Sequence, residues 1–241
     1  MEPSAQRLPC LGVDGAKSGW IAVWRDGAAL AYRLYPGAQA LFDAHADAGV
    51  IAVDMPIGLP PSGRRKADVE ARRFVGGRRA SSIFSSPVRG VLHTASQPEA
   101  SRLHRAIDGR GFGAQSFALL PKIRAWDALL QADPRARARV REIHPEVAFA
   151  ALAGGPGYGL VAGKKTGDGH ARRIALLAPL FGEGAVQALL QAVPRSEAAP
   201  DDVLDATVAL HVAERIAAGE AATLPTPPER DGTGLPMAIW Y

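Results

Sequence analysis

The sequence predicts a layered α/β fold, on three observations. Apolar runs separated only by short turns open the chain, a fourth run that is apolar on both faces but for one acid follows a helical segment, and the second half alternates helical patterns with one further short run. At 241 residues the chain suits one large domain spanning 1–241, with a helical insertion expected at about 60–135.

Residues 11–16 form the first run and end in the turn-like Ala16-Lys17-Ser18-Gly19. Residues 20–24 resume as a strand, Arg25-Asp26-Gly27 turns the chain, and 28–35 make the third run. Connections this short join antiparallel neighbours, so a meander is expected. Residues 38–48 carry a helical pattern that Gly49 stops. Residues 50–57 are apolar on both faces apart from Asp54, as suits a strand buried within a sheet.

From Pro60 to Pro134 basic, Ala-rich helical patterns alternate with Gly/Ser loops, 115–131 being the clearest helix, and no strand is expected. Residues 140–143 restore a strand. Pro145 then opens a helix at a first-turn position, where its missing donor costs little. A Gly-rich loop at 154–163 precedes two Ala/Leu-rich helices, and 202–218 reads as an amphipathic helix. Residues 225–236 are expected as a loop leading to a short terminal strand, 237–241.

Composition narrows the function classes. Hydrophobic residues make up 47% and charged residues 22%, an ordinary globular balance. No run approaches the ~20 apolar residues that span a bilayer, so no membrane partner is expected. The first nine residues lack the apolar core of a secretory signal, which makes the cytoplasm the expected location. A single cysteine, Cys10, excludes an internal disulfide and a multi-cysteine zinc site. The net charge of +4 does not by itself imply a nucleic-acid partner.

Four acidic islands carry the chemistry: Gly12-Val13-Asp14-Gly15, Ala52-Val53-Asp54-Met55-Pro56, Arg141-Glu142-Ile143-His144-Pro145-Glu146, and Asp201-Asp202-Val203-Leu204-Asp205. An acid inside an apolar strand is costly unless its charge is used. Asp14, beside small neighbours, fits a ligand site and a turn equally well. Asp54 closes a buried strand at its C-terminal edge, where α/β folds place functional groups. Glu142 lies within a strand and ranks ahead of Glu146, which the helix dipole already favours in a first turn by about 0.3–1 kcal/mol. His144 before proline reads as structural more often than catalytic. Positions 202, 205, 209, 212 and 216 share one helical stripe, so Asp202 and Asp205 continue an inward apolar face. Capping explains Asp201 or Asp202 but not Asp205.

Brought together, such acids would repel one another unless divalent cations bridge them. Two hard ions could then activate water and stabilise the leaving oxygen in phosphodiester cleavage. All-carboxylate ligation suits Mg²⁺ or Mn²⁺ rather than zinc. Asp14, Asp54, Glu142 and Asp205 are the expected catalytic ligands, with Asp202 and Glu146 assisting.

Further segments complete a pattern: Gly19-Trp20, Asp54-Met55-Pro56-Ile57-Gly58-Leu59-Pro60, Arg79-Ala80-Ser81-Ser82-Ile83-Phe84, Lys164-Lys165-Thr166, Asp205-Ala206 and Gly234-Leu235-Pro236-Met237. Together with the islands they resemble the ribonuclease-H-like superfamily. More closely, the chain is similar to the family known as domain of unknown function 429, described as predicted nucleases of that fold. The resemblance implies a mixed five-stranded sheet flanked by helices, its first three strands antiparallel. It matches Asp14 to the acid of the first strand and Asp54 to that of the fourth. The Asp-x-x-Asp-Ala helix start resembles that of Holliday-junction resolvases and implicates Asp202 and Asp205.

The loop from Arg78 to Ser86 and the pair Lys164-Lys165 are candidate phosphate contacts, with Arg79, Ser81 and Ser82 the foremost of the loop residues; a solvated surface explains them about as well. Lys164-Lys165-Thr166 is no P-loop, and neither Gly-rich stretch has dinucleotide spacing. The expectation is a metal-dependent nuclease whose partner is nucleic acid. Two alternatives stay open. Asp14-Gly15-Ala16-Lys17-Ser18 resembles the first phosphate loop of sugar kinases, which points to a phosphotransferase. The third reading is a non-catalytic nucleic-acid- or protein-binding module, against which the intact set of four acids argues.

Overall fold

The computed structural model describes residues 8–241, the side chain of Arg78 excepted. The stretch read for a signal sequence therefore lies almost wholly outside the described residues, as does the side chain of Arg78.

Strands β1 (Cys10–Ala16), β2 (Gly19–Asp26) and β3 (Ala29–Tyr35) form the expected antiparallel meander. Helix α1 (Ala38–Ala44) leads to β4 (Val50–Val53), which pairs parallel with β1. β5 (Val140–Glu142) pairs parallel with β4, giving the order β3-β2-β1-β4-β5 in a mixed five-stranded sheet. β4 ends at Val53, four residues earlier than the apolar run suggests, so Asp54 stands just past the last strand residue.

Between β4 and β5 the described residues hold helices α2 (Lys66–Val75), α3 (Gln97–Asp108), α4 (Ala114–Ala132) and α5 (Pro134–Arg139), with short 3-10 turns and no strand. Helices α6 (Pro145–Ala153), α7 (Gly167–Phe181), α8 (Glu183–Ala192) and α9 (Pro200–Ala218) follow. No single helix among the described residues is long and apolar enough to cross a membrane.

The period-2 alternation of the strands sorts their side chains onto two faces. Leu11, Val13, Ile51, Val53 and Val140 point into a core closed by α1 and α4, where Trp20 meets Trp126 edge-on at 5.5 Å. Ala52, Ile143, Ile21 and Val23 belong to the opposite core, beneath α6 to α9. Gly12 sits on that second face, and α9 lies directly on it. A Cβ there would come within 2.0 Å of Leu210 N and 2.1 Å of Ala206 O. The missing side chain is what lets the α9 backbone reach β1 and carry Asp205 to the strand ends.

The C-terminal segment departs from expectation. Residues 225–236 do not form a simple loop: β6 (Thr223–Arg230) pairs antiparallel with β7 (Pro236–Trp240) in a separate two-stranded sheet. Pro225, Pro227 and Pro228 explain why the run reads as loop, since proline donates nothing to a ladder. Pairing breaks between Leu224 and Glu229 and resumes beyond the prolines.

Candidate functional site

Asp14 and Asp54 emerge from adjacent parallel strands. Val13 is in register with Val53, and Asp54 N–H donates to Val13 O at 3.0 Å. Both acids therefore follow their strand partners by one residue, on the face that α9 covers. Asp205, in the second turn of α9, is buried there at 2% exposure, and Asp14 at 6%. The structure thus assembles Asp14, Asp54 and Asp205.

Their electrostatics reflect that assembly. Burial, then the charges of Asp54 and Asp205, raise the Asp14 carboxyl well above the ordinary carboxylate range. Burial and then Asp205 push Asp54 up to about 8. Burial also lifts Asp205, to about 6, against the pull of Lys164. Lys164 Nζ donates to Asp205 Oδ2 at 2.8 Å and stands 3.6 Å from Asp201 Oδ2. Burial alone would lower this ammonium, yet Asp205, Asp14 and Asp54 hold it above the usual lysine value.

Beside these acids opens a cavity of about 420 Å³, lined by Asp54, Asp205, Glu146, Lys164, Arg79 and Phe84 among others. Ser82, Lys165 and Thr166 also line it. Thr166 Oγ1 caps α7 by accepting from Gly169 N–H at 3.1 Å. Ser81 is exposed on the 3-10 turn Gly77–Ser82 and is not part of the lining. Ser85 and Ser86 are structural: Ser85 Oγ accepts from Arg72, and Ser86 N–H donates to Asp68.

His144 lines the cavity as the N-cap of α6, its Nδ1 accepting from Glu146 N–H at 3.2 Å. That bond leaves the ring proton on Nε2, and burial lowers the imidazole to about 4, so the ring is neutral at pH 7. Glu146 Oε1 accepts from Arg79 at 2.5 Å and from Arg173 at 2.7 Å. Its Oε2 is buried without a hydrogen-bond partner, as is Asp205 Oδ1.

The remaining acids are placed elsewhere. Glu142 is in register with Val53, so the alternation points it to the opposite face from Asp14 and Asp54. There Arg65 donates to both its oxygens, at 2.7 and 2.6 Å, and Ile57 N–H donates at 2.7 Å. Arg65 also bonds Asp68 at 2.6 Å, completing a buried cluster. Burial pushes Glu142 up to about 7 against the lowering pull of Arg65. Asp202 is half-buried, and its Oδ2 accepts from Ala199 N–H at 3.0 Å, closing the first turn of α9. Its charge still contributes to raising Asp14.

Two cations near the site carried no signal in the sequence. Arg173 is fully buried on α7 and holds Glu146. Lys122 reaches from α4 to donate to Ala16 O at 3.1 Å and lies 4.9 Å above the Trp20 ring. Gly15 makes room for it, since a Cβ there would stand 2.7 Å from Lys122 Nζ. Neither spacing nor composition announces such contacts between distant segments.

Among the described residues, no group of three or more His, Cys, Asp or Glu side chains is arranged to hold a metal ion. The donors nevertheless suit a hard cation. Asp14, Asp54 and Asp205 offer only oxygens, Lys164 is the cation that acts on all three, with Arg173 also acting on Asp205, and Asp205 Oδ1 is a buried acceptor with nothing donating to it. The counter-charge that these carboxylates meet in this structure is the Lys164 ammonium.

A family model described as "Protein of unknown function (DUF429)" matches residues 12–230. No curated protein matches the chain, and no solved structure does.

Proposed function

The chain belongs to the DUF429 family, and from its site we propose that it is a divalent-metal-dependent nuclease on a ribonuclease-H-like core, hydrolysing phosphodiester bonds of nucleic acid. One observation carries the reading: three carboxylates from separate elements, Asp14 and Asp205 buried and Asp54 partly so, meet at the ends of the two central parallel strands, and each is raised by desolvation and its neighbours. Buried like charges are costly to maintain unless a cation uses them. The order β3-β2-β1-β4-β5, with its first three strands antiparallel, supports the fold assignment.

Asp14, Asp54 and Asp205 would hold Mg²⁺ or Mn²⁺. When bound, the metal would polarise a phosphoryl oxygen and lower the pKa of a water. Lys164 sets a permanent positive charge beside the carboxylates, where it would meet a non-bridging phosphate oxygen. Lys165 and Arg79 extend that positive wall along the cavity. His144, neutral with its proton on Nε2, can donate a hydrogen bond but is too weak a base at pH 7 to carry a permanent charge. Glu142 has no place in this scheme, because Arg65 and Ile57 N–H occupy its oxygens.

The test is a cleavage screen over single-stranded, duplex, hybrid and branched substrates with Mg²⁺ or Mn²⁺. Activity that is abolished by chelator, by Asp14→Asn and by Asp54→Asn supports the reading. Cleavage indifferent to both substitutions contradicts it. Nucleotide-dependent thermal stabilisation without cleavage would favour a phosphotransferase instead.

A further inference from the structure

We propose that the cavity beside the carboxylates receives one unpaired nucleotide, so that this chain engages single-stranded nucleic acid in preference to continuous duplex. The inference deepens the nuclease reading and rests on it only for the position of the scissile phosphate.

Three observations converge on this ligand. The first is size: about 420 Å³ is room for a single small-molecule-sized group. A duplex presents its bases stacked and paired, and cannot insert one without extruding it. The second is the unpartnered Oε2 of Glu146, buried at 5% exposure in the lining. Arg79 and Arg173 both bond Oε1, which leaves Oε2 requiring an N–H donor from a ligand. Nucleobases carry such donors on the Watson–Crick edge, which pairing conceals and single strands expose. The third is the composition of the walls. Phe84 offers an aromatic ring in the lining, while Lys164 and Lys165 offer positive charge. Aromatic stacking combined with backbone-tracking cations is the chemistry by which single strands are held.

The experiment measures binding of fluorescein-labelled oligothymidylate to the full chain in EDTA, by anisotropy at fixed salt. Probes are the single strand, the same strand paired with oligodeoxyadenylate, a strand of abasic sites, and a strand of N3-methylthymidine lacking the ring N–H. The single strand is expected to bind about tenfold or more tighter than the other three. Phe84→Ala and Phe84→Leu, each checked for folding by thermal unfolding, are expected to lose about tenfold for the single strand and little for the abasic one. Equal binding of duplex and single strand, or of abasic and intact strands, overturns the proposal, as does an absence of single-strand binding. If the expected pattern appears but no metal supports cleavage, the nuclease reading falls and the nucleotide cavity stands. If duplex is cleaved as readily as single strand, the cavity assignment falls and the nuclease reading stands.

Discussion

Asp14 and Asp54 stand side by side because the Asp54 N–H donates to Val13 O at 3.0 Å, extending the parallel ladder of β1 and β4 one step past its last strand residue. That hydrogen bond fixes both carboxylates at the same level on the same face. Asp205 reaches them because Gly12, two residues before Asp14, admits the α9 backbone.

Gly12→Ala tests the close approach. The new Cβ would meet backbone atoms of α9 at 2.0–2.7 Å, so the helix must move. We expect a loss of about 3 kcal/mol in urea unfolding, in the range of severe overpacking. Gly184→Ala, on α8 with nothing within 4 Å, is the control. It should be neutral or stabilise by about 0.5–1 kcal/mol.

Asp54→Asn tests the raised carboxylate through pH. Asp54 titrates at about 8 in the fold, against an ordinary 3.8. Below the lower value the group is protonated in both states and contributes nothing. Between the two, the folded state holds a proton that the unfolded chain releases, so this group erodes stability as pH rises. In chelator, Asp54→Asn should therefore gain on the wild type between about pH 4 and 8, by at most about 1.4 kcal/mol per pH unit. Melting temperatures that differ by a constant amount across that range would contradict the shift.

Arg65→Met separates the structural cluster from the site. It strands Glu142 and Asp68, both buried, without their cation. Removing one partner of a buried pair costs about 3–5 kcal/mol, and chemical denaturation should show a loss of that order. Glu142→Gln should lower stability too, yet leave Mn²⁺ affinity within about twofold, since its oxygens face Arg65 and not the three aspartates.

Lys164→Met tests whether the ammonium stands in for a cation. It occupies Asp205 Oδ2 and competes with any ion drawn to the acids. At pH 8 the variant should bind Mn²⁺ about tenfold tighter than the wild type, because a like charge nearby has gone. Weaker Mn²⁺ binding would mean that Lys164 organises the carboxylates instead of opposing an ion.

The meander was legible because its turns are short and its apolar runs alternate, and Asp14 and Asp54 stood out as acids within them. Glu142 shows the limit. Its strand can be read from 140–143, but its face depends on register with β4, and one residue of parity decides between the aspartates and Arg65. Arg65, just before α2, and Arg173 and Lys122, on α7 and α4, reach partners distant in sequence, and nothing local to them signals it. The prolines of 225–236 concealed a strand that pairs only at its two ends.

The measurement closest to the central claim is a calorimetric Mn²⁺ titration at pH 8 of the wild type, Asp14→Asn and Asp54→Asn, each confirmed as folded. The three-aspartate site predicts saturable binding in the wild type, weakened about tenfold or more in each variant. Wild-type protein that takes up no Mn²⁺, or variants that bind it equally well, would show that these carboxylates converge for another reason.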